Sequence, residues 1–456
     1  MTRSAAKAAG GAAPREPFEP GAARELQRQL DRAAESSPLS FSEFVPTATA
    51  LDVLKKLEAT LRKEPALLQI SPSVDSRVVV VGDTHGQFHD VRKMMELVGE
   101  PSAETAYVFN GDFVDRGAWG LETFLLLAGW KLACPRHVFL LRGNHETALC
   151  SMVYGFKGEL VAKLGSKWKS VYSACKKAFA VLPLAACIAE KTLVLHGGLF
   201  RKPRVRGRPS QHRKKRADGI EVGGLEDLAG ASKGGMDPSG VGTSALATDV
   251  LWSDPSREHG FEPNYSRNIG TVFGPDVTED FLRANDLRLV LRSHEGPDAR
   301  DGRDDMDPML EGFTLDHETP AGNLMTVFSA PDYPQFMMDS LPRYRNKGAV
   351  AVLSAPTFSE PQMVQYEAAP RPKAEPYYDL GVPDSDEEQE PVASDASGMT
   401  DVRDAASSES DDTQASPESI DDACSAPPAS LPESSAAAST KRRRTRSSAG
   451  SPSVAA

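Results

Sequence analysis

Six times between residues 76 and 333 the chain repeats one pattern. A short aliphatic or β-branched run ends in a turn of Gly, Asp, His or Asn, and a stretch with helical spacing follows. The runs are 78–81 before GDTHG, 107–109 before NGDFVDRG, 138–141 before RGNHE, 193–195 before HGGLF, 287–291 before RSHEG and 324–328 before SAPDY. Continuous apolar runs mark strands buried on both faces, in a sheet covered by helices. The pattern predicts an α/β fold whose polar turns gather at the carboxyl ends of several strands, where side chains converge on one rim. No internal repeat accompanies it, which excludes a solenoid or propeller.

Other stretches behave differently. Leu51, Leu54, Leu57 and Leu61 fall at helical spacing and predict an amphipathic helix packed on the body and closed by Pro65. Residues 23–35 read as a polar, solvated helix, and residues 1–20, of Ala, Gly and Pro with scattered charges, as disordered. Residues 201–216 carry nine basic residues and no acid, and Gly- and Ser-rich sequence continues to 248. Residues 298–311 are strongly charged. Both read as surface loops inserted into the body. Beyond Asp379 there is no aromatic residue, only Ser, Ala, Pro and acids in excess, so the tail cannot bury enough surface to fold. The expected organisation is an N-terminal extension over 1–40, a body over 41–375 with its insert at 201–248, and a disordered tail over 376–456.

Composition narrows this picture. Of the 456 residues 40% are hydrophobic, and no run of 18 apolar residues exists, so a spanning helix and a membrane partner are not expected. Five cysteines without a CxxC pair argue against a disulfide framework or zinc ribbon and for a reducing compartment. The net charge of −12 belongs to the tail: residues 381–440 carry −14, residues 441–456 carry +5, and the rest of the chain −3.

The strand-end residues carry the candidate chemistry. Asp83, His85, Asp112, Asn144, His196 and His294 supply two carboxylates, one carboxamide and three imidazoles. This oxygen/nitrogen set without thiolate suits Mn, Fe or Zn. Six ligands fit two metals if Asp112 bridges, with Asp83, His85 and Asp112 on one ion and Asp112, Asn144, His196 and His294 on the other. Such a pair activates a shared hydroxide and clamps the oxygens of an in-line phosphoryl displacement. The leaving alkoxide then needs a proton, for which His145 oriented by Asp115 is the candidate. Arg116 and Arg267 are the candidate donors to the non-reacting oxygens, and Tyr333 can close over the site. Any single Asp or His after a strand is more often a turn or cap residue. Weight comes from six motifs occurring in order, with four of the nine histidines inside them. His89, His137, His212, His259 and His317 lie outside.

GDTHG (82–86), GDFVDRG (111–117), RGNHE (142–146), HGG (196–198), LWSDP (251–255), RSHE (292–295) and SAPDY (329–333) together resemble the phosphoprotein phosphatase family of serine/threonine phosphatases. The resemblance covers about residues 45–370. It implies a metallophosphoesterase-type central β-sandwich flanked by helices, hydrolysis of phosphoserine and phosphothreonine in proteins, the same six metal ligands and the same His145–Asp115 pair. It matches Arg116 and Arg267 to phosphate binding, although Ser266 and Asn268 depart from the usual neighbours of Arg267. Tyr333 matches the family tyrosine, with Pro334 where many members carry cysteine.

Rival readings are a dinucleoside polyphosphate hydrolase, which shares only the GDxHG, GDxVDRG and GNHE parts, and a non-catalytic scaffold, which would lack a ligand. No EF-hand loop occurs, and no C-x5-R loop for a cysteine nucleophile. KRRRTR (441–446) and the basic insert suit a nuclear import receptor, so a nuclear location, with a cytoplasmic pool, is expected. A calmodulin contact at the insert is the weaker alternative, because Val205 is its one apolar residue. Nucleic acid is not expected without interleaved aromatics. The acidic cluster around Ser385 is a candidate for phosphorylation, and opposite charge would let the tail lie on the insert.

Overall fold

The computed structural model describes residues 18–203, 221–338 and 340–380. The acidic tail, the KRRRTR cluster, most of the basic insert and the first 17 residues lie outside the described residues, and so do the expectations placed on them.

Fourteen strands run in chain order: β1 (Leu67–Ile70), β2 (Arg77–Val81), β3 (Thr105–Phe109), β4 (Val138–Leu140), β5 (Ala185–Ile188), β6 (Thr192–Leu195), β7 (Asp254–Pro255), β8 (Phe261–Pro263), β9 (Thr271–Phe273), β10 (Leu289–Arg292), β11 (Phe313–Thr319), β12 (Gly322–Val327), β13 (Gly348–Ser354) and β14 (Gln362–Tyr366). They form a six-stranded sheet ordered β1-β5-β6-β10-β12-β11, a five-stranded sheet ordered β14-β13-β2-β3-β4, and a small sheet of β7, β9 and β8. β2, β3 and β4 are parallel, and so are β6, β10 and β12. These are the six runs read from the sequence, and each ends at the rim that carries its motif.

The two large sheets pack face to face. Val78 and Val80 of β2, Val108 of β3, Val194 of β6, Leu289 and Leu291 of β10, and Val327 of β12 fill the layer between them. Alternate residues point outward: Val79 and Val81 join Tyr107 and Phe109 against one set of helices, and Leu193, Leu195, Val290 and Leu324 against another. The sequence runs are continuous because both faces are covered.

Helices α1 (Pro20–Ala34), α2 (Phe41–Phe44), α3 (Thr47–Leu61), α4 (Phe88–Val98), α5 (Gly120–Ala133), α6 (Cys150–Val153), α7 (Phe156–Leu164) and α8 (Trp168–Phe179) belong mainly to the layer over the five-stranded sheet. α9 (Leu225–Ala229), α10 (Ala245–Trp252) and α11 (Pro275–Asn285) pack on the other, and α12 (Pro297–Arg300) follows β10. The leucine-patterned helix is α3, with Leu54, Leu57 and Leu61 fully buried.

One expectation needs correction. The helix over 23–35 is not solvated: Leu26, Leu30, Ala33 and Ala34 are buried in the core, and Gln27 accepts a hydrogen bond from Trp130 Nε1 (3.0 Å). A stripe of two leucines and small residues suffices because Leu26 lies against Gly129 of α5, where a Cβ would approach it to 3.0 Å. Residues 298–311 lie at the surface as read, but they are anchored. The outer ones are exposed, but Met306 and Met309 are buried, and Arg300 and Arg303 reach Glu295 at 2.9 and 2.6 Å. In the longer insert, residues from 221 onward pack on the body. Leu228 is buried, and the carbonyls of Lys233 and Met236 accept from fully buried Arg142 (2.7 and 3.0 Å).

Candidate active site

The strand-end residues meet. Asp83 follows β2, Asp112 follows β3, Asn144 follows β4, His196 follows β6 and His294 follows β10; with His85 all are buried. His196 Nε2 lies 2.8 Å from Asn144 Oδ1 and 3.4 Å from Asp112 Oδ2, and His294 Nδ1 lies 3.1 Å from the same Asn144 oxygen. His85 Nε2 approaches Asp112 Oδ2 at 3.7 Å and Asp83 Oδ2 at 3.9 Å. The His294 backbone N–H donates to both Asp83 oxygens (3.2 and 3.1 Å). Two overlapping groups, His85–Asp112–His145 and Asp112–His196–His294, each hold their donor atoms within 4.8 Å of one another, and Asp112 is common to both.

The set is built for cations. Asn144 Nδ2 and His294 Nε2 are buried without hydrogen-bond partners. The Asp83 carboxyl is pushed well above its usual range by burial and then by the charge of Asp112. Burial also opposes charge on His196, yet Asp112 and Asp83 lift it to about 9, so the paired carboxylates draw a proton to this place. His85 falls to about 3 and His294 well below its ordinary range, both chiefly through burial. Neutral imidazoles of His85 and His294, an Asn144 oxygen facing two histidines, and carboxylates that repel one another are what a metal pair relieves.

The loops that deliver these groups are strained. His85, Asp112, Asp115, Arg116 and His294 have φ of 39°, 50°, 70°, 64° and 76°, in the left-handed region that disfavours side chains. Glu146 answers part of this strain and was given no role from the sequence. Its carboxylate accepts from the N–H groups of Asp112 (2.7 Å), Phe113 (2.8 Å) and Gly143 (3.0 Å), tying the loop after β3 to the loop after β4. Gly143 permits that approach, since a Cβ there would sit 2.1 Å from Asp112 Oδ1.

His145 lies beside the cluster, its ring 4.8 Å from that of His85, and its Nδ1 bonds Asp115 Oδ2 at 2.8 Å. The other Asp115 oxygen accepts from Phe156 N–H (2.9 Å). Burial, with Arg116 and His196, lowers His145 to about 4 against the pull of Asp112, and burial raises Asp115 well above its usual range. Both shifts disfavour a charge on either group when it stands alone.

Arg116 lies over Tyr154 (4.3 Å to the ring centroid) and faces Tyr378 (5.6 Å) and Asp298. Arg267 donates through Nε to Asp254 Oδ2 (2.5 Å). Asp254, from LWSDP, also takes Arg292 (3.1 Å) and Asn264 (2.8 Å), and Asn264 in turn accepts from Ser266 Oγ (2.7 Å), so the unusual Ser266 surroundings still brace Arg267. Tyr333 is buried and stacks on His85 at 5.0 Å. Tyr154, Tyr378, Asp298 and Asp254 were not read as site residues. Only Asp254 had a local signal, the acid of LWSDP just after α10.

Comparison with known proteins agrees with this arrangement. A calcineurin-like phosphoesterase pattern matches residues 76–298, the span from β2 to α12. The chain is 49% identical over 330 residues to serine/threonine-protein phosphatase 7 of Arabidopsis thaliana, covering 70% of this chain and 80% of that protein. It is 36% identical over 327 residues to human serine/threonine-protein phosphatase 5, covering 72% and 56%. A solved protein serine/threonine phosphatase from Saccharomyces cerevisiae superposes with a TM-score of 0.57 at 30% identity, covering 73% of this chain and 93% of that one. With such identity spread over most of a serine/threonine phosphatase, and a phosphoesterase pattern laid over the strands that build the cleft, the chain belongs to the phosphoprotein phosphatase family and is a metal-dependent protein serine/threonine phosphatase.

Proposed function

We propose that the cleft hydrolyses phosphoserine and phosphothreonine esters with two metal ions that share Asp112. Asp83, His85 and Asp112 would hold one ion, and Asp112, Asn144, His196 and His294 the other; the donor set suits Mn, Fe or Zn. The observation that carries this reading is one carboxylate oxygen, Asp112 Oδ2, lying 3.7 Å from His85 Nε2 on one side and 3.4 Å from His196 Nε2 on the other. When bound, the ions supply Lewis acidity to the phosphoryl oxygens and lower the pKa of the attacking water.

The remaining roles fall to side chains. Arg116 and Arg267 bind the non-reacting phosphate oxygens. Asp254 fixes the second guanidinium, and Tyr154 supports the first. His145 gives the departing serine or threonine oxygen its proton through Nε2, while Asp115 holds Nδ1. Tyr333 packs over His85 and keeps water from the closed side of the cleft. We further propose nuclear import through KRRRTR and the basic insert, with calmodulin the weaker partner of that insert.

The test is metal analysis with activity. Wild-type protein should carry close to two metal equivalents and turn over a phosphoserine peptide in preference to a dinucleoside tetraphosphate. Asp112→Asn should lose both ions together, because one side chain serves both. Loss of a single equivalent, with the other retained at full occupancy, would exclude a shared ligand.

A further inference from the structure

The surface formed by α6, α7 and α8 has a composition unlike the rest of the body. Between residues 150 and 180 the single carboxylate is Glu159, which is buried with Lys163 (2.8 Å). Lys157, Lys167, Lys169, Lys176 and Lys177 remain at the surface. Three of them border an open groove of about 500 Å³ between these helices, together with Trp168, Tyr172 and Met152. Lys157 and Lys169 lie 6.0 and 5.8 Å from the Trp168 ring, and Lys176 lies 4.6 Å from the Tyr172 ring. None of the three forms an ion pair among the described residues. Asp237, the acid at the groove edge, is engaged by the Leu149 backbone N–H (2.8 Å). Three ammonium groups gathered over aromatic faces, against the single acid Asp237, suit an acidic, extended peptide.

The last described residues of the chain lie on α7, beside this groove. The Tyr377 carbonyl presses on Gly158, where a Cβ would come within 2.3 Å, and the Tyr378 ring lies 3.1 Å from a Cβ built at Gly155. Lys157, on the groove, is the neighbour of Gly158. Four residues beyond Leu380 begins Asp384-Ser-Asp-Glu-Glu-Gln-Glu390, with five acids and no base. Four extended residues reach up to roughly 14 Å and ten up to roughly 35 Å, so the acids can reach the groove from where the body leaves off. Tethering makes the contact intramolecular at an effective concentration on the order of millimolar, so individually weak charge pairs suffice.

We propose that the acidic segment 384–390 docks in cis on the Lys157–Lys169–Lys176 groove and so holds Tyr378 against Arg116. The inference concerns a surface outside the metal cleft and does not depend on the roles assigned there.

Zero-length carbodiimide crosslinking of the full-length, metal-loaded protein tests it, with a mixture of ¹⁴N- and ¹⁵N-labelled chains to separate cis from trans links. Links from Asp384, Asp386, Glu387, Glu388 or Glu390 to Lys157, Lys169 or Lys176 should dominate at 0.1 M salt, where the screening length is about 10 Å, and fall several-fold at 1 M, where it is about 3 Å. They should be isotopically unmixed. A tail variant with these five acids changed to Asn or Gln leaves every residue of the groove unchanged. In it, amine acetylation of Lys157, Lys169 and Lys176 should rise by about threefold or more, with exposed Lys55 unchanged. Tail links that go mainly to residues 201–216 overturn the proposal, as do isotopically mixed links, which mean a second copy is the occupant. Acetylation that does not change in the neutralised tail means the groove is open to other acidic peptides, and overturns it equally.

Discussion

Replacing Asp115 with asparagine tests the acid step apart from the metal site. The Asp115 carboxylate accepts from Phe156 N–H through one oxygen and from His145 Nδ1 through the other, at 2.9 and 2.8 Å. An asparagine keeps the first bond by turning its oxygen to Phe156, and then presents an NH₂ donor to Nδ1. Nδ1 must accept, so the ring is locked as the neutral tautomer with hydrogen on Nε2. The carboxylate that would stabilise an imidazolium through Nδ1 is gone. Retaining an imidazolium would leave a buried cation beside Arg116 without its nearest counter-charge.

The magnitude follows from that bond. A hydrogen bond to a charged group contributes roughly 1.5–3 kcal/mol, or about 1–2 units of imidazole pKa. The ceiling is the whole contribution of a general acid, about 10²–10⁴-fold. For Asp115→Asn, kcat on a phosphoserine peptide should fall about 10²-fold. An aryl phosphate, whose phenolate departs without a proton, should lose no more than about threefold, because the acid is idle for it. Steady-state kinetics on both substrates, with metal content measured on the same samples, decides. Equal losses on the two esters would show that Asp115 acts through the fold or the metals. An unchanged serine rate would remove His145 from the acid role.

Two further outcomes concern the scaffold. Glu146→Ala leaves three buried N–H groups without their acceptor at about 1–3 kcal/mol each, partly offset by removing a carboxyl that burial and Asp112 push up to about 8. The variant should unfold in urea with about 3 kcal/mol less stability, and a loss under about 1 kcal/mol would mean that water or a backbone shift replaces the carboxylate. Glu159, which caps Gly120 and Leu121 N–H (2.9 and 2.8 Å), is raised to about 7 by burial, with Glu122 adding to it and Lys163 opposing. A carboxyl that holds its proton more tightly folded than unfolded stabilises the fold below its unfolded pKa, and that contribution fades as pH rises through 7. Wild-type stability should therefore decline by on the order of 1–3 kcal/mol between pH 4.5 and 7.5 relative to Glu159→Gln, and parallel profiles for the two would refute the shift.

The sequence exposed the donors of the site better than the structure that aims them, and the reason is physical. A strand buried on both faces must be apolar throughout, so its end is conspicuous, and Asp83, Asp112, Asn144, His196 and His294 stand at such ends. The α1 helix had no such contrast. Its buried side is two leucines among alanines, and a polar Gln27 is satisfied by Trp130, 103 residues away. Residues 298–311 looked solvated because they are charged. Yet Arg300 is paired with Glu295, five residues back, and with Asp316, 16 residues on (3.1 Å), a partner that lies outside the stretch.

The same limit applies most strongly at the centre of the cleft. Nothing in the letters of His85, Asp112, Asp115, Arg116 or His294 announces a left-handed backbone, a conformation that costs about 1–3 kcal/mol for a residue with a side chain. That cost persists only where surrounding bonds outweigh it. Glu146 supplies such bonds to backbone N–H groups, which every residue has and no motif encodes. Asn110 does similar work across the sheets, donating to the Leu195 carbonyl (2.8 Å) and to Ser293 Oγ (2.9 Å), so that the turns carrying His196 and His294 are drawn to the turn carrying Asp112. Removing a donor residue should therefore act on metal occupancy, whereas removing Glu146 or Asn110 should release strained loops and lower stability and metal occupancy together. Function in this rim depends on both sets of residues, and only the first is conspicuous in the sequence.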